Sequence, residues 1–248
     1  MNILWIDPIV ANNEYINSLS KNLGLIKNKE TNFTIQSLGE DKNPHHLRYH
    51  SYEIIASTNI IKIIFKNKNI YDGFVIGCFY DTALREAREI SGDSIVCAPC
   101  QSAITISSFL GNRFSVLVGS MKGVNKMKDN IIRYGFEKYL CSFNNLNINV
   151  LDFQINENIV FEKMCQQGKL AIKEGAEVII LGCSAEVGYY QKLQDELNVP
   201  VIDSGIAAFK HAEFMFNLKN SVNLKHSRII SNEPPPEHEI KSWQIFDL

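Results

Sequence analysis

One segment of this chain is written twice. Phe74-Val75-Ile76-Gly77-Cys78, a helix-forming stretch, Ile95-Val96 and Gln101-Ser102-Ala103 return as Ile179-Ile180-Leu181-Gly182-Cys183, a second helix-forming stretch, Val201-Ile202 and Gly205-Ile206-Ala207. The two cysteines stand 105 residues apart and the two alanines 104, so the register slips by a single residue over the whole unit. A chain repeated in this way is expected to fold as two similar halves.

Each copy has the pattern of a parallel sheet with crossover helices, in which short apolar runs alternate with amphipathic stretches. Strands are predicted over 2–6, 33–38, 73–76, 94–98, 114–118, 148–153, 178–181 and 201–202. Helices are predicted over stretches such as 82–90, 124–134, 158–174 and 189–197. The fold class is therefore α/β: two pseudo-symmetric, flavodoxin-like parallel-sheet domains with a site in the crevice between them. The expected boundaries put 1–99 plus 206–248 in the first domain and 100–205 in the second. No linker rich in Gly, Pro or Ser divides the chain. The tail from about residue 223, which carries Pro234-Pro235-Pro236, is expected to wrap the surface.

Charge and hydropathy narrow the partners. Lys+Arg number 25 against 27 Asp+Glu, a net charge of −2, which offers no extended field for a phosphate backbone or an anionic membrane. The most apolar stretch, 54–65, is interrupted by Ser57, Thr58, Asn59 and Lys62 and falls short of a bilayer span. The opening Met-Asn-Ile-Leu-Trp-Ile-Asp-Pro has no basic leader, so a cytoplasmic chain is expected, with six cysteines held as thiols. A small-molecule substrate and assembly into a homo-oligomer are expected. Neither nucleic acid nor membrane is expected as a partner.

Cys78 and Cys183 each follow a buried strand where a helix is about to begin, and ligands of open α/β sheets bind outside those carboxyl ends. Both thiols are thus expected to face one crevice, with helix amino termini lowering their pKa from about 8.5. The glycine before each is expected to let a substrate approach the backbone. Packing is the competing explanation, because cysteine is among the most buried residue types. A pair at equivalent points of a repeat favours chemistry. Two opposed thiols suit a 1,1-proton transfer, in which a base removes a proton from one face of a tetrahedral carbon and an acid returns one to the other.

The residues around the cysteines resemble a known family. Gly77-Cys78-Phe79-Tyr80-Asp81, followed by Leu84-Arg85-Glu86-Ala87-Arg88-Glu89, is similar to the Gly-Cys-Phe-x-Asp-Pro segment of hydantoin racemases in the aspartate/glutamate/hydantoin racemase superfamily. Gly182-Cys183-Ser184 and Val199-Pro200-Val201-Ile202-Asp203-Ser204-Gly205 resemble that family's second cysteine segment. The resemblance runs from residue 1 to about 218. It implies a racemase whose acid and base are Cys78 and Cys183, working without metal, pyridoxal phosphate or any other cofactor. Phe79 and Tyr80 stand where members acting on free aspartate or glutamate carry Asn and a hydroxyl residue, which points to a cyclic or derivatised amino acid. The chain departs from the family at Asp7-Pro8-Ile9, Val118-Gly119-Ser120, Thr82 and Gln101.

The candidate substrate contacts are Asp7, Pro8, Phe79, Ser120 and Ser184. The amides of Phe79 and Ser184 are expected to meet charge building on a carbonyl oxygen, assisted by the hydroxyls of Ser184 and Ser120. Ser184 could equally be a helix cap, and for Asp7 and Asp203, which end strands on the same rim and could orient substrate, a capping carboxylate is the preferred reading. Two further motifs compete. Cys97-Ala98-Pro99-Cys100 has redox or zinc spacing but lacks a second pair. His46 and His50 stand four apart and could share a helix face, while the segment from His45 to Arg48 could cover the crevice. Other readings are a racemase or isomerase of a free amino acid, allantoin or a related small acid using one cysteine covalently, and a binding protein without turnover.

Overall fold

The computed structural model describes residues 1–39, 42–244 and 246, and in it the chain forms two four-stranded parallel sheets. The first half runs β1 (Asn2–Asp7), α1 (Asn13–Ile26), β2 (Asn32–Ser37), α2 (His50–Asn67), β3 (Gly73–Ile76), α3 (Leu84–Ile90) and β4 (Ile95–Cys97). Next come α4 (Pro99–Leu110), β5 (Phe114–Val118), α5 (Val124–Arg133), β6 (Leu140–Asn145), α6 (Glu157–Lys173), β7 (Val178–Leu181), α7 (Tyr190–Leu197) and β8 (Val201–Asp203). Helices α8 (Ser204–Val222) and α9 (Glu237–Trp243) complete the order. The strand orders are β2-β1-β3-β4 and β6-β5-β7-β8, the same permutation in both sheets. The sequence repeat is therefore a repeat of topology, with β3 and β7 as equivalent inner strands. Both strands are buried along their whole length, which is why they read as unbroken apolar runs rather than alternating ones.

The helix after each fourth strand covers the other half's sheet. Cys100, Ala103 and Ile104 of α4 pack with Val116, Val118 and Ile180, while Ala208, Phe209 and Ala212 of α8 pack with Ile3, Trp5, Val75 and Ile95. The small side chains on these two helices let them approach each other closely. The amino end of α4 is anchored by Asp81, whose carboxylate accepts from the amides of Cys100 (2.8 Å) and Gln101 (2.9 Å) and from the Tyr134 hydroxyl (2.8 Å). Asp81 reaches α4 because its own backbone and that of Ala83 are left-handed (φ 49° and 55°), which delays α3 until Leu84.

Two features differ from the sequence expectation. The strand expected over 148–153 is a loop with a short 3-10 turn, and the sixth strand lies earlier, at β6. The polar residues of β6 hid it: Ser142 shares a hydroxyl bond with Ser115 (2.9 Å) and donates to Asn144 (2.9 Å), so these side chains satisfy one another on a half-buried edge strand. The apolar residues of 146–153 pack without joining the sheet, Leu146, Ile148 and Phe153 being buried against Leu117 and Leu181. The second difference is α1, α2, α4, α8 and α9, in stretches to which the sequence reading assigned no element. Helix α2 is 18 residues long and buries only Glu53, Ala56, Ile60 and Ile64, so Tyr52, Ile54 and Ile55 stay exposed on its outer side. Among the described residues no helix is long and apolar enough to cross a membrane.

The tail wraps the first half, as expected, although 245, 247 and 248 lie outside the described residues. Lys225 pairs with Asp93 (2.9 Å), Arg228 donates to the Arg88 carbonyl, and Phe246 stacks on Phe65. At the edge of the first sheet, the Val96 amide donates to His226 Nε2 (2.9 Å) and the Val96 carbonyl accepts from Arg88 (3.1 Å), so both polar groups of an edge-strand residue are covered. Burial, reinforced by Arg88 and Arg228, pulls His226 from 6.5 down to about 3. Because the unfolded chain takes up this proton near pH 6.5 and the folded chain does not, the stabilisation is complete above pH 6.5 and declines as pH falls toward 3. His226→Gln retains an acceptor for Val96 but cannot be protonated. Urea titrations at pH 7 and pH 4.5 should show the variant losing less stability on acidification than the parent, by up to ~1.4 kcal/mol per pH unit. Parallel losses would contradict this account of the tail.

Candidate active site

Four strand ends converge on one cavity of about 390 Å3. The turn after β1 supplies Asp7 and Pro8, that after β3 Gly77 to Tyr80, that after β5 Gly119 and Ser120, and that after β7 Gly182 to Ala185. These are the inner strands of both halves, where adjacent connections leave in opposite directions and open a crevice. The cavity brings together Cys78, Cys183, Asp7, Pro8, Phe79, Ser120 and Ser184, all seven residues singled out from sequence. Much of its wall is apolar, from Ile9, Val10, Leu47, Ile148, Val150 and Phe153, and His45, His46, Arg48 and Lys122 add nitrogen-bearing groups. His46 sits in the loop before α2 and His50 begins that helix, so they share no helix face, and the loop itself lines the cavity.

The two Gly-Cys turns are built alike. A Cβ on Gly77 would lie 2.5 Å from the Trp5 indole, and one on Gly182 would lie 2.5 Å from the Leu117 carbonyl. Each glycine is thus required by the neighbouring inner strand, which crowds it, and not by an approaching substrate. The turns are also tied together. Ser184 Oγ donates to the Gly77 carbonyl (2.7 Å) across the interface between halves, so this hydroxyl neither caps an α-helix nor points freely at a substrate. Phe79 is buried in the core of the second sheet beside Met127 and Val118, which carries the first half's cysteine turn into the other half.

The thiols are harder to ionise than the sequence suggested. Burial pushes Cys78 up to about 12, with Glu53 and Asp81 adding to the rise while the Tyr80 amide opposes it. Burial likewise drives Cys183 well above the ordinary thiol range, with Glu186 and Asp7 nearby, against the pull of the Ala185 amide. The expected helix amino termini are missing at both positions: α3 starts six residues after Cys78, and Cys183 precedes only a three-residue 3-10 turn. Each sulfur instead faces the amide two residues downstream, the same local device in both halves.

The two strand-end carboxylates have separate fates. Asp203 caps α8, accepting from the amides of Gly205 (2.9 Å) and Ile206 (3.1 Å). Asp7 caps nothing, since α1 is capped by Asn12, which accepts from the Tyr15 amide (2.8 Å). Asp7 lines the cavity with one carboxylate oxygen buried and, among the described residues, unpartnered, and burial raises its carboxyl to about 7 even though Tyr15, Trp5 and the Ile9 backbone favour the ionised form. The Tyr15 hydroxyl, beside Asp7 and Ser184, is also buried without a hydrogen-bond partner among the described residues. Sequence reasoning missed Tyr15, and it read Ile148, Val150 and Phe153 as a strand; only the packing of distant segments reveals them as cavity wall. Cys97 and Cys100 are free, buried and assigned to different cores, so they are packing residues here.

The family profile described as Asp/Glu/Hydantoin racemase matches residues 44–212. The chain belongs to this family. A hydantoin racemase of Pseudomonas sp. is 35% identical over 156 residues, an alignment spanning 62% of this chain and 62% of that enzyme's length. A hydantoin racemase of Paenarthrobacter aurescens is 33% identical over 192 residues, covering 76% of this chain and 80% of the other. In structure, the allantoin racemase from Klebsiella pneumoniae superposes with a TM-score of 0.86 at 23% identity, covering 96% of this chain and 94% of that one, and so shares the family fold.

The Ser184 bond gives a direct test of how the halves are held in register. Ser184→Ala leaves the buried Gly77 carbonyl without this donor, and chemical denaturation should register a loss of about 1–3 kcal/mol. A variant as stable as the parent would show that the bond does not hold the two cysteine turns together.

Proposed function

We propose that this chain is a cofactor-independent racemase that inverts the α-carbon of a hydantoin-like amino-acid derivative by proton transfer between Cys78 and Cys183. The observation that carries the reading is the placement of the two thiols. They end equivalent inner strands of two repeated halves and line one cavity, which supports access to opposite faces of a flat intermediate. The naming of the two curated relatives as hydantoin racemases supports the substrate class. So does the wall: an apolar cavity suits a neutral ring bearing an apolar substituent better than a free zwitterion, whose charges would lose their water.

In one direction Cys78 as thiolate takes the proton from the α-carbon, breaking the C–H bond and forming S–H, while the electron pair delocalises onto the adjacent carbonyl. Cys183 as thiol then delivers its proton to the opposite face, leaving itself the thiolate. The reverse reaction exchanges the roles, so no proton is gained or lost overall. The amides of Phe79 and Ser184 are assigned to the carbonyl oxygen, and Asp7, with Pro8 beside it, to a ring N–H. Ser120 lies on the wall of the second half, but its hydroxyl is engaged in part by the Lys122 amide (3.3 Å).

Two measurements test this. In D2O, Cys78→Ser and Cys183→Ser should each lose net racemisation by about 10²–10⁴-fold, since a serine hydroxyl is too weak an acid and base. Each variant should still wash deuterium into one enantiomer of a substituted hydantoin, and into opposite enantiomers in the two cases. Full activity in either would exclude the two-base route. The second measurement is the pH profile. Since both thiols are held protonated and one must be ionised to act as base, the enzymatic rate, after subtraction of the uncatalysed rate, should climb as pH rises from 7 to 9. A flat profile would place the working base elsewhere.

A further inference from the structure

Tyr80 occupies a position that the assignments above leave unused. It follows Cys78 by two residues, lines the cavity, and interacts electrostatically with both Cys78 and Cys183. Its ring reaches the far wall, where a Cβ on Gly123 would collide with the phenol oxygen and the ring carbon that bears it. Both sides of the crevice hold it. The ring packs against the cluster of Leu38, Leu47 and Ala56 and against the core of the second sheet, and its carbonyl accepts from Asn130 Nδ2 of α5 (2.7 Å).

The phenol hydroxyl has no hydrogen-bond partner among the described residues, while two other hydroxyls of the cavity wall are committed or enclosed. Ser184 donates to Gly77 and the Tyr15 hydroxyl is sealed from solvent beside Asp7, whereas Ser120 accepts from the Lys122 amide in an exposed bond and keeps its own O–H. A donor aimed at a site where negative charge develops and held there before the reaction begins is the most effective form of electrostatic catalysis.

We infer that Tyr80 is a catalytic residue of the reaction proposed above, its hydroxyl donating a hydrogen bond to the substrate carbonyl oxygen as the α-proton leaves. No proton is transferred to or from the phenol: it remains O–H throughout, and the bond to the oxygen shortens as charge builds. Burial and the two neighbouring thiols raise the phenol's pKa, so it enters the step as a neutral donor. The requirement for glycine at 123 follows, because any side chain there would push the phenol off the wall that aligns it.

This inference rests on the racemase reading, and one experiment separates the two. Tyr80→Phe keeps the ring over Gly123 and removes only the hydroxyl. Deuterium uptake at the α-carbon is followed in D2O with both enantiomers of a benzyl-substituted hydantoin, and circular dichroism and Tm confirm that the fold is kept. The expected result is a fall in kcat of about 10²–10³-fold with KM close to the parent's, the mark of an interaction made in the transition state. A variant that exchanges at the parent rate, or that changes KM alone, overturns the role of Tyr80 and leaves the racemase reading standing. A parent chain that exchanges neither enantiomer overturns both.

Discussion

The hydrogen bond from Ser184 to the Gly77 carbonyl joins the turn carrying one thiol to the turn carrying the other, and the rest of the site is arranged around it. Without a fixed relation between these turns, two copies of an α/β half would be two separate crevices. The bond works because the inner strands of both sheets end at the same place, and the exchange of α4 and α8 between the halves keeps them there. Phe79 and Tyr80 extend the same principle with apolar contact, passing from the first half into the core of the second.

The local chemistry of the thiols follows from that closure. Much of the cavity wall is aliphatic and aromatic, and desolvation by burial outweighs the two backbone amides that face the sulfurs. Both cysteines are therefore held as thiols, and in the proposed mechanism ionisation of one is the step that arms the pair. An apolar wall strengthens each fixed dipole in the cavity, so in the proposed reaction a neutral phenol or a backbone amide would suffice where an exposed site would need a full charge. Asp7 shows the effect on a carboxyl, brought to about 7 by burial alone against three favourable neighbours, Tyr15, Trp5 and the Ile9 backbone.

Much of the architecture could be read from local pattern. Strands buried on both faces announce themselves as β-branched and aromatic runs, and β3, β5 and β7 fall where those runs lie. β6 did not, because Ser142, Asn144 and Cys141 look like a loop until Ser115 and one another satisfy them. The apolar residues of 146–153 misled for the converse reason: they are buried by a cavity wall and a core, neither of which needs the period of a strand.

The sequence by itself determined the doubling, the fold class and the two cysteines, since repetition and the hydrophobic runs survive as linear pattern. It also placed both thiols at strand ends, because Gly-Cys after an apolar run is a local signature. Only the tertiary structure decided what surrounds them. The ionisation of a thiol depends on burial by segments a hundred residues away, the partner of the Ser184 hydroxyl lies in the other half, and the place of the Tyr80 phenol is seen only when Gly123 and the core of the second sheet close around it. These are properties of long-range packing, for which a linear spacing carries no signal.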